Sequence, residues 1–400
     1  MPDSSDRVIV VGAGPVGLVA AASLLSEGIP VLQLERTSDL AEDLRASTFH
    51  PPTLDMLDRF GVTSGLVERG LICPHWQFRD RRDGVIATFD LGRLEGETAH
   101  PYRLQCEQWK LTTALRALID GHPDGTLVTD TQVESVAQDE TGVTVTGTRP
   151  DGSQESHRGR YLIGADGARS VVRRAIGASF EGLTIPEIFL SLSTSFRYDE
   201  AIADLANIAY VSDPEEWLVL LRTPSLWRVL LPTDPNQDDA EILDPDAVEA
   251  RLQAVQPADT PYDVVHKTAY RVHERVADKY IEGRIFLAGD AAHINNPLGG
   301  MGMNGGIHDA VNLTEKLARV WQGAPLSMMA RYERQRRKVA LETVQAQALR
   351  NRQILNTRDP EARRTHHDEL RATVEDPTRH KAYVLRSSMI QSLRDLETVA

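Results

Sequence analysis

The chain has 400 residues, 41% of them hydrophobic, enough to bury a sizeable core in two or three closely packed lobes. A formal net charge of −14 argues against a protein that tracks nucleic-acid phosphates. Cys73 and Cys106 form no C-x-x-C pair, and Asp3 and Asp6 stand where a secretory leader would be basic, so reduced thiols, no metal site and a cytoplasmic location are expected.

Val8 to Val11 are four β-branched residues that read as a buried parallel strand. Gly12-x-Gly14-x-x-Gly17 follows, with Ala13, Pro15 and Val16 between the glycines, and then a small-residue helix to Leu25. Gly12 permits the tight turn, Gly14 lets backbone N–H groups approach a pyrophosphate, and Gly17 lets the helix pack on the strand. The helix N-terminus adds partial positive charge. A second strand, Pro30 to Leu34, ends at Glu35, eighteen residues beyond Gly17, where an acid can hold adenosine ribose hydroxyls. Three glycines and a proline at nucleotide-loop positions argue against reading Val8–Leu25 as a membrane span.

Pro51-Pro52 opens a helix with Leu54, Leu57 and Phe60 on one face, closed by Gly61. Residues 75–91 alternate around Arg82-Asp-Gly and read as a hairpin. Gln108 to Ile119 has helical spacing. Residues 127–163 read as a β-meander, and Tyr161 to Ser170 as a strand, a glycine turn and a helix start. Strand-like runs then dominate from Glu187 to Leu231, an antiparallel sheet unlike the first lobe. A helix is expected at 246–255 and a strand at Val264–Tyr270. Arg284 to Asp290 returns to a buried strand ending in Gly-Asp. From Gly305 the pattern is helical, with breaks near Gly323, Asp359-Pro and Asp376-Pro. His366-His367-Asp368 reads as a solvated face, and the basic Arg331–Lys338 stretch as a solvated or homodimer-facing helix.

Three separated motifs line up: Gly12-Ala-Gly-Pro-Val-Gly17, Gly164-Ala-Asp166-Gly167, and Gly289-Asp290-Ala-Ala-His293 followed by Pro297-Leu-Gly-Gly-Met-Gly302-Met-Asn304. Together they resemble the single-component flavoprotein aromatic hydroxylases, the 4-hydroxybenzoate hydroxylase group, over roughly residues 7–320. The resemblance implies an α/β fold with a Rossmann-like FAD-binding domain interleaved with a mostly antiparallel substrate domain. The FAD-binding parts would be 1–72, 101–180 and 268–320, the substrate parts 73–100 and 181–267, and the helical tail 321–400.

The same resemblance implies chemistry. NADPH or NADH reduces FAD, O2 adds to give a C4a-hydroperoxide, and an electron-rich aromatic ring takes the distal oxygen. Asp290 would accept hydrogen bonds from ribityl hydroxyls, with a helix N-cap as the plain alternative. A helix starting near Gly302 to Asn304 would point at the flavin pyrimidine edge, with Gly289, Gly300 and Met303 in the same cradle. Pro297 matches the residue whose carbonyl lies near the oxygen-reacting face. Asp166 would bridge FAD and the visiting nicotinamide nucleotide, with Arg169 beside it. Glu35-Arg36 and Arg45 would contact FAD, as would Gln108, for which Gln105 is a competing register.

Substrate-side candidates are His50, His75, Tyr210, Arg222 and Trp227. His50 and Tyr210 are the catalytic candidates beside Pro297. His50 also reads as an idle helix-start residue, Tyr210 as sheet packing and Arg222 as an exposed strand arginine. A flavin halogenase, a prenyl-lipid reductase or a non-catalytic dinucleotide sensor are the rival readings. Trp217 and Trp227 lack the W-x-W-x-I-P arrangement of halogenases.

Overall fold

The computed structural model describes residues 5–40 and 46–399. Arg45, expected to contact the cofactor, lies outside the described residues.

The first lobe is built on a six-stranded sheet with Val8–Val11 and Tyr161–Gly164 at its centre. Val8–Val11 pairs in parallel with Val31–Leu34 on one side and with Tyr161–Gly164 on the other. Gly125–Val128 and Ile285–Leu287 extend the two flanks in parallel, and Ile281–Glu282 closes one edge antiparallel. Every residue of Val8–Val11 is buried, as a strand covered on both faces requires. The 127–163 meander therefore needs correction at both ends. Residues 125–128 and 161–164 belong to the parallel sheet, and the meander proper is Gln132–Gln138, Val143–Thr148 and Gln154–Gly159. Apolar runs of four residues do not by themselves separate a parallel from an antiparallel neighbour.

The second lobe is an eight-stranded sheet, antiparallel except where Ile208–Ser212 runs parallel to His75–Asp80. Its longest strands are the neighbouring pair Phe180–Thr194 and Val264–Ala277, and Trp227–Thr233 and Leu218–Arg222 lie at its centre. The hairpin around residues 80–84 adds its last two strands. Val264–Ala277 continues well past Tyr270, so the expected boundary at 268 falls inside one strand. A small sheet of Thr48–Phe49, Arg103–Gln105 and Leu71–Cys73 lies between these elements in sequence and carries Arg103.

The tail is helical. Asp359 and Asp376 cap the helices Pro360–Glu375 and Pro377–Ser387 by accepting first-turn N–H bonds, which explains the Asp-Pro breaks. These helices cover the large sheet: Tyr383 stacks on Phe89 with centroids 4.3 Å apart. His367, expected on a solvated face, is buried, with Nε2 3.2 Å from Ser212 Oγ and 3.9 Å from an Asp80 carboxylate oxygen. The helical period did not reveal that this face meets the sheet. Among the described residues no helix is long and apolar enough to cross a membrane. Both cysteines are buried and free.

Candidate active site

The three glycine turns meet. Gly12 has φ +101°, and a Cβ there would lie 2.3 Å from the Ala165 carbonyl oxygen, so the first turn touches the second. A Cβ at Gly289 would lie 2.9 Å from Val16 Cγ2, so the third turn touches the first. Only glycine satisfies both the positive φ and this approach.

Two helices start at this junction without side-chain caps. Pro15–Ser26 has Gly14 as its N-cap, and Met301–Trp321 has Gly300 at φ 66°. Neither glycine has a side-chain acceptor to offer the first-turn N–H groups, so both helix ends present donors and positive dipole ends. Around Gly14 a Cβ would meet nothing within 4 Å. This is the arrangement a dinucleotide pyrophosphate and an anionic ring edge need. Glu35 lies at the rim. Its carboxylate accepts from Ala13 N at 2.7 Å and from the Thr37 amide at 3.1 Å. Arg36 beside it and Asp290 are exposed.

A buried charge network holds the third turn. Asp309 accepts from the Gly289 amide at 3.0 Å and contacts His293 Nε2 at 2.8 Å, and Arg336 Nε donates to its other oxygen. Arg336 also donates to the Gly305 carbonyl at 3.1 Å. Burial works against the Asp309 charge, but Arg336 and His293 override it and hold the carboxyl down at about 2.

The glycine-rich loop is tied to the rest of the site by Asn304 and His50. The Asn304 amide donates to the carbonyls of Thr48 (2.8 Å) and Gly300 (2.6 Å) and accepts from the His50 amide at 2.9 Å. His50 Nε2 sits 2.9 Å from the Gly299 carbonyl oxygen. Burial, with Arg103 nearby, pushes His50 well below the usual histidine range, so the ring is neutral and Nε2 carries the donated hydrogen. The Pro297 carbonyl accepts from the Gly300 amide at 3.0 Å. Gly302 and Met303 follow in the first turn of the helix.

The remaining expected residues divide. The Asp166 carboxylate accepts from Ser170 Oγ and from the Val171 and Val172 amides at 2.7 and 3.2 Å, so it caps the short helix Val171–Ala175. Gln105 is buried, and its amide is engaged by Ser47 and Thr48. Gln108 stands half-buried at the start of the helix Gln108–Asp120. Tyr210 lines a pocket beside Gly299 and Met301, whose walls are Trp76, Phe78, Arg103 and Tyr383. His75, Arg222 and Trp227 do not line it. Arg222 and Trp227 both bond Asp199, at 2.9 and 3.2 Å, and His75 is exposed, 3.6 Å from Asp90. Sequence reasoning missed Arg103, Trp76 and Tyr383, because nothing local marks them as neighbours.

A family model for an FAD binding domain matches residues 6–347. The chain belongs to the FAD-dependent aromatic hydroxylases of the flavoprotein monooxygenases. It is 36% identical over 366 residues to the para-nitrophenol 4-monooxygenase of Pseudomonas sp. strain WBC-3, covering 90% of each chain. It is 33% identical to the 6-hydroxy-3-succinoylpyridine 3-monooxygenase of Pseudomonas putida, over 88% of this chain and 90% of that one. The crystal structure of a p-nitrophenol 4-monooxygenase from Pseudomonas putida DLL-E4 superposes with a TM-score of 0.91 at 32% identity, covering 97% of this chain and 98% of that one. This hydroxylase is thus an FAD-dependent monooxygenase acting on an aromatic compound with NAD(P)H as reductant. These relatives are monooxygenases, not halogenases, reductases or sensors.

Proposed function

We propose that this hydroxylase inserts one atom of O2 into a small phenolic or heteroaromatic ring held between Trp76, Phe78, Tyr210 and Tyr383. The observation that carries this reading is an aromatic-walled pocket that Gly299 and Met301 of the glycine-rich loop also line. Aromatic walls orient a ring and exclude water, which is the protein's main task in this chemistry.

When bound, FAD supplies the hydride-accepting and oxygen-activating chemistry. In this reading Gly12, Gly14, Pro15, Val16 and Gly17 cradle the pyrophosphate and Glu35 holds the adenosine ribose, with Arg36 and Gln108 alongside. Gly289 and Asp290 would hold the ribityl chain. Gly300, Gly302, Met303 and Asn304 would hold the flavin ring, with Pro297 beside it. The engagement of Asp166 at a helix cap favours a local structural role for its carboxylate, with the nicotinamide nucleotide visiting the groove beside Gly167. His50 is a positioning residue: its Nε2–H holds the Gly299 carbonyl beside the pocket. The names of the relatives support a phenol with a para substituent as the first substrate class to try. A cytoplasmic enzyme, a monomer or a homodimer, is consistent with this reading.

Purified enzyme should be yellow, and a panel of para-substituted phenols should include members that speed NADPH or NADH oxidation at least about tenfold, a rate gain equivalent to roughly 1.4 kcal/mol. A colourless protein that takes up no flavin on reconstitution ends this reading.

A further inference from the structure

Arg103 is a buried cation without a counter-charge. It is 2% exposed, and among the described residues no carboxylate acts on it. Nη2 donates to the Ser387 carbonyl oxygen at 3.3 Å, Nε and Nη1 make no hydrogen bond of ordinary geometry, and the Tyr210 phenol lies beside the guanidinium as a neutral neighbour in the same pocket wall. The guanidinium carbon lies 5.2 Å from the Trp76 ring centroid, and the group is a wall of the aromatic pocket.

The titratable groups around it are Cys73, Tyr210, Tyr383 and His50. Burial pushes both the Cys73 thiol and the Tyr383 phenol up to about 12 and His50 well below its usual range. These three are therefore neutral near pH 7 and offer the guanidinium no negative charge. Arginine does not escape by losing its proton, because its intrinsic basicity is too high. An uncompensated buried charge is destabilising. An anion arriving at this wall would supply the missing counter-charge.

We propose that Arg103 receives the ring oxygen of the substrate as a phenolate, through the Nε and Nη1 hydrogens that lack partners. This rests on the reading of the pocket as the phenol site and names the form in which the ring binds. The substrate O–H bond breaks, its proton passes to solvent, and its electron pair stays on oxygen, held by the guanidinium. The ring left behind is richer in electrons, as oxygen insertion requires. No protein base is needed in the pocket.

The test uses the FAD-loaded enzyme without NAD(P)H. 4-Nitrophenol is titrated across a pH series, and its bound ionisation is read from difference absorbance. Nitrobenzene, which keeps the ring and the nitro group but lacks the hydroxyl, is titrated in parallel by competition. The wild type should bind 4-nitrophenol as the anion, with a bound pKa about one unit or more below its value in water. Arg103→Met should return that pKa to the solution value or above and weaken nitrophenolate binding at least about tenfold, while nitrobenzene binding changes less than about twofold. Arg103→Lys should recover part of the shift, and it serves as the folded variant if Arg103→Met does not retain flavin. Equal loss of both probes, or a wild-type bound pKa no lower than in water, overturns the proposal. Intact nitrophenolate binding with no oxygen insertion would instead defeat the hydroxylase reading and leave this one standing. A wild type that binds neither probe defeats both.

Discussion

Gly306 and Val16 lock the two uncapped helices together. A Cβ built on Gly306 would lie 2.6 Å from Val16 Cγ2 and 3.1 Å from Gly289 Cα. The Met301–Trp321 helix thus meets the Pro15–Ser26 helix at a residue that must have no side chain. The contact brings two positive helix ends and the Gly289-Asp290 turn to one place, which is what FAD binding asks of this fold.

Gly306→Ala should therefore push the helices apart. Overpacking of this kind costs about 1–3 kcal/mol, so the melting temperature should fall and flavin retention with it. Val16 is β-branched and has little rotamer freedom in a helix, so it cannot swing aside. Adding Val16→Ala to Gly306→Ala should restore part of the loss. A double-mutant cycle by thermal melting checks this, and strict additivity would contradict the contact.

Asp309 holds the third turn through Gly289, His293 and Arg336. Asp309→Asn keeps the shape but leaves Arg336 buried without its counter-charge. A loss of about 3–5 kcal/mol is expected. The flavin should leave more readily too, because the Gly289 amide is anchored there. Denaturant unfolding and FAD release on dilution measure the two effects.

His308 gives the protein an acid sensitivity. Burial, with Arg336 close by, lowers this histidine to about 3, and its Nε2 lies 2.9 Å from Thr53 Oγ1. The unfolded chain takes up the proton near the ordinary value of 6.5 while the folded chain resists it. Stability is then complete above pH 6.5 and is lost progressively as pH falls from 6.5 towards 3. By pH 4 the loss reaches up to about 3 kcal/mol. His308→Gln can keep the Thr53 bond without titrating, so its melting temperature should fall less between pH 7 and 4. His50 carries the same sign and should leave a residual slope.

The convergence of the glycine turns was legible in the sequence because its signals are local. A buried β-branched strand, glycines at turn positions and an acid at the next strand end each follow from backbone sterics within a few residues. The substrate half was not. Arg103 reaches the pocket because a three-residue strand pairs with Thr48–Phe49 and Leu71–Cys73, and Tyr383 arrives from a tail helix near the C-terminus. No spacing encodes such a meeting. Arg222 and Trp227 looked available because a period-two pattern does not disclose their shared partner, Asp199. Tyr210 has the sequence setting of a packing residue, and it does pack, 5.6 Å from the Trp76 centroid, while also lining the pocket.

The most direct measurement is turnover of 4-nitrophenol and related phenols under isotopically labelled dioxygen, with NADPH or NADH and the FAD-loaded enzyme. The account predicts a product carrying one labelled oxygen atom and nicotinamide oxidation that rises with phenol. Product formed equally well without dioxygen, or carrying oxygen from water alone, would contradict it.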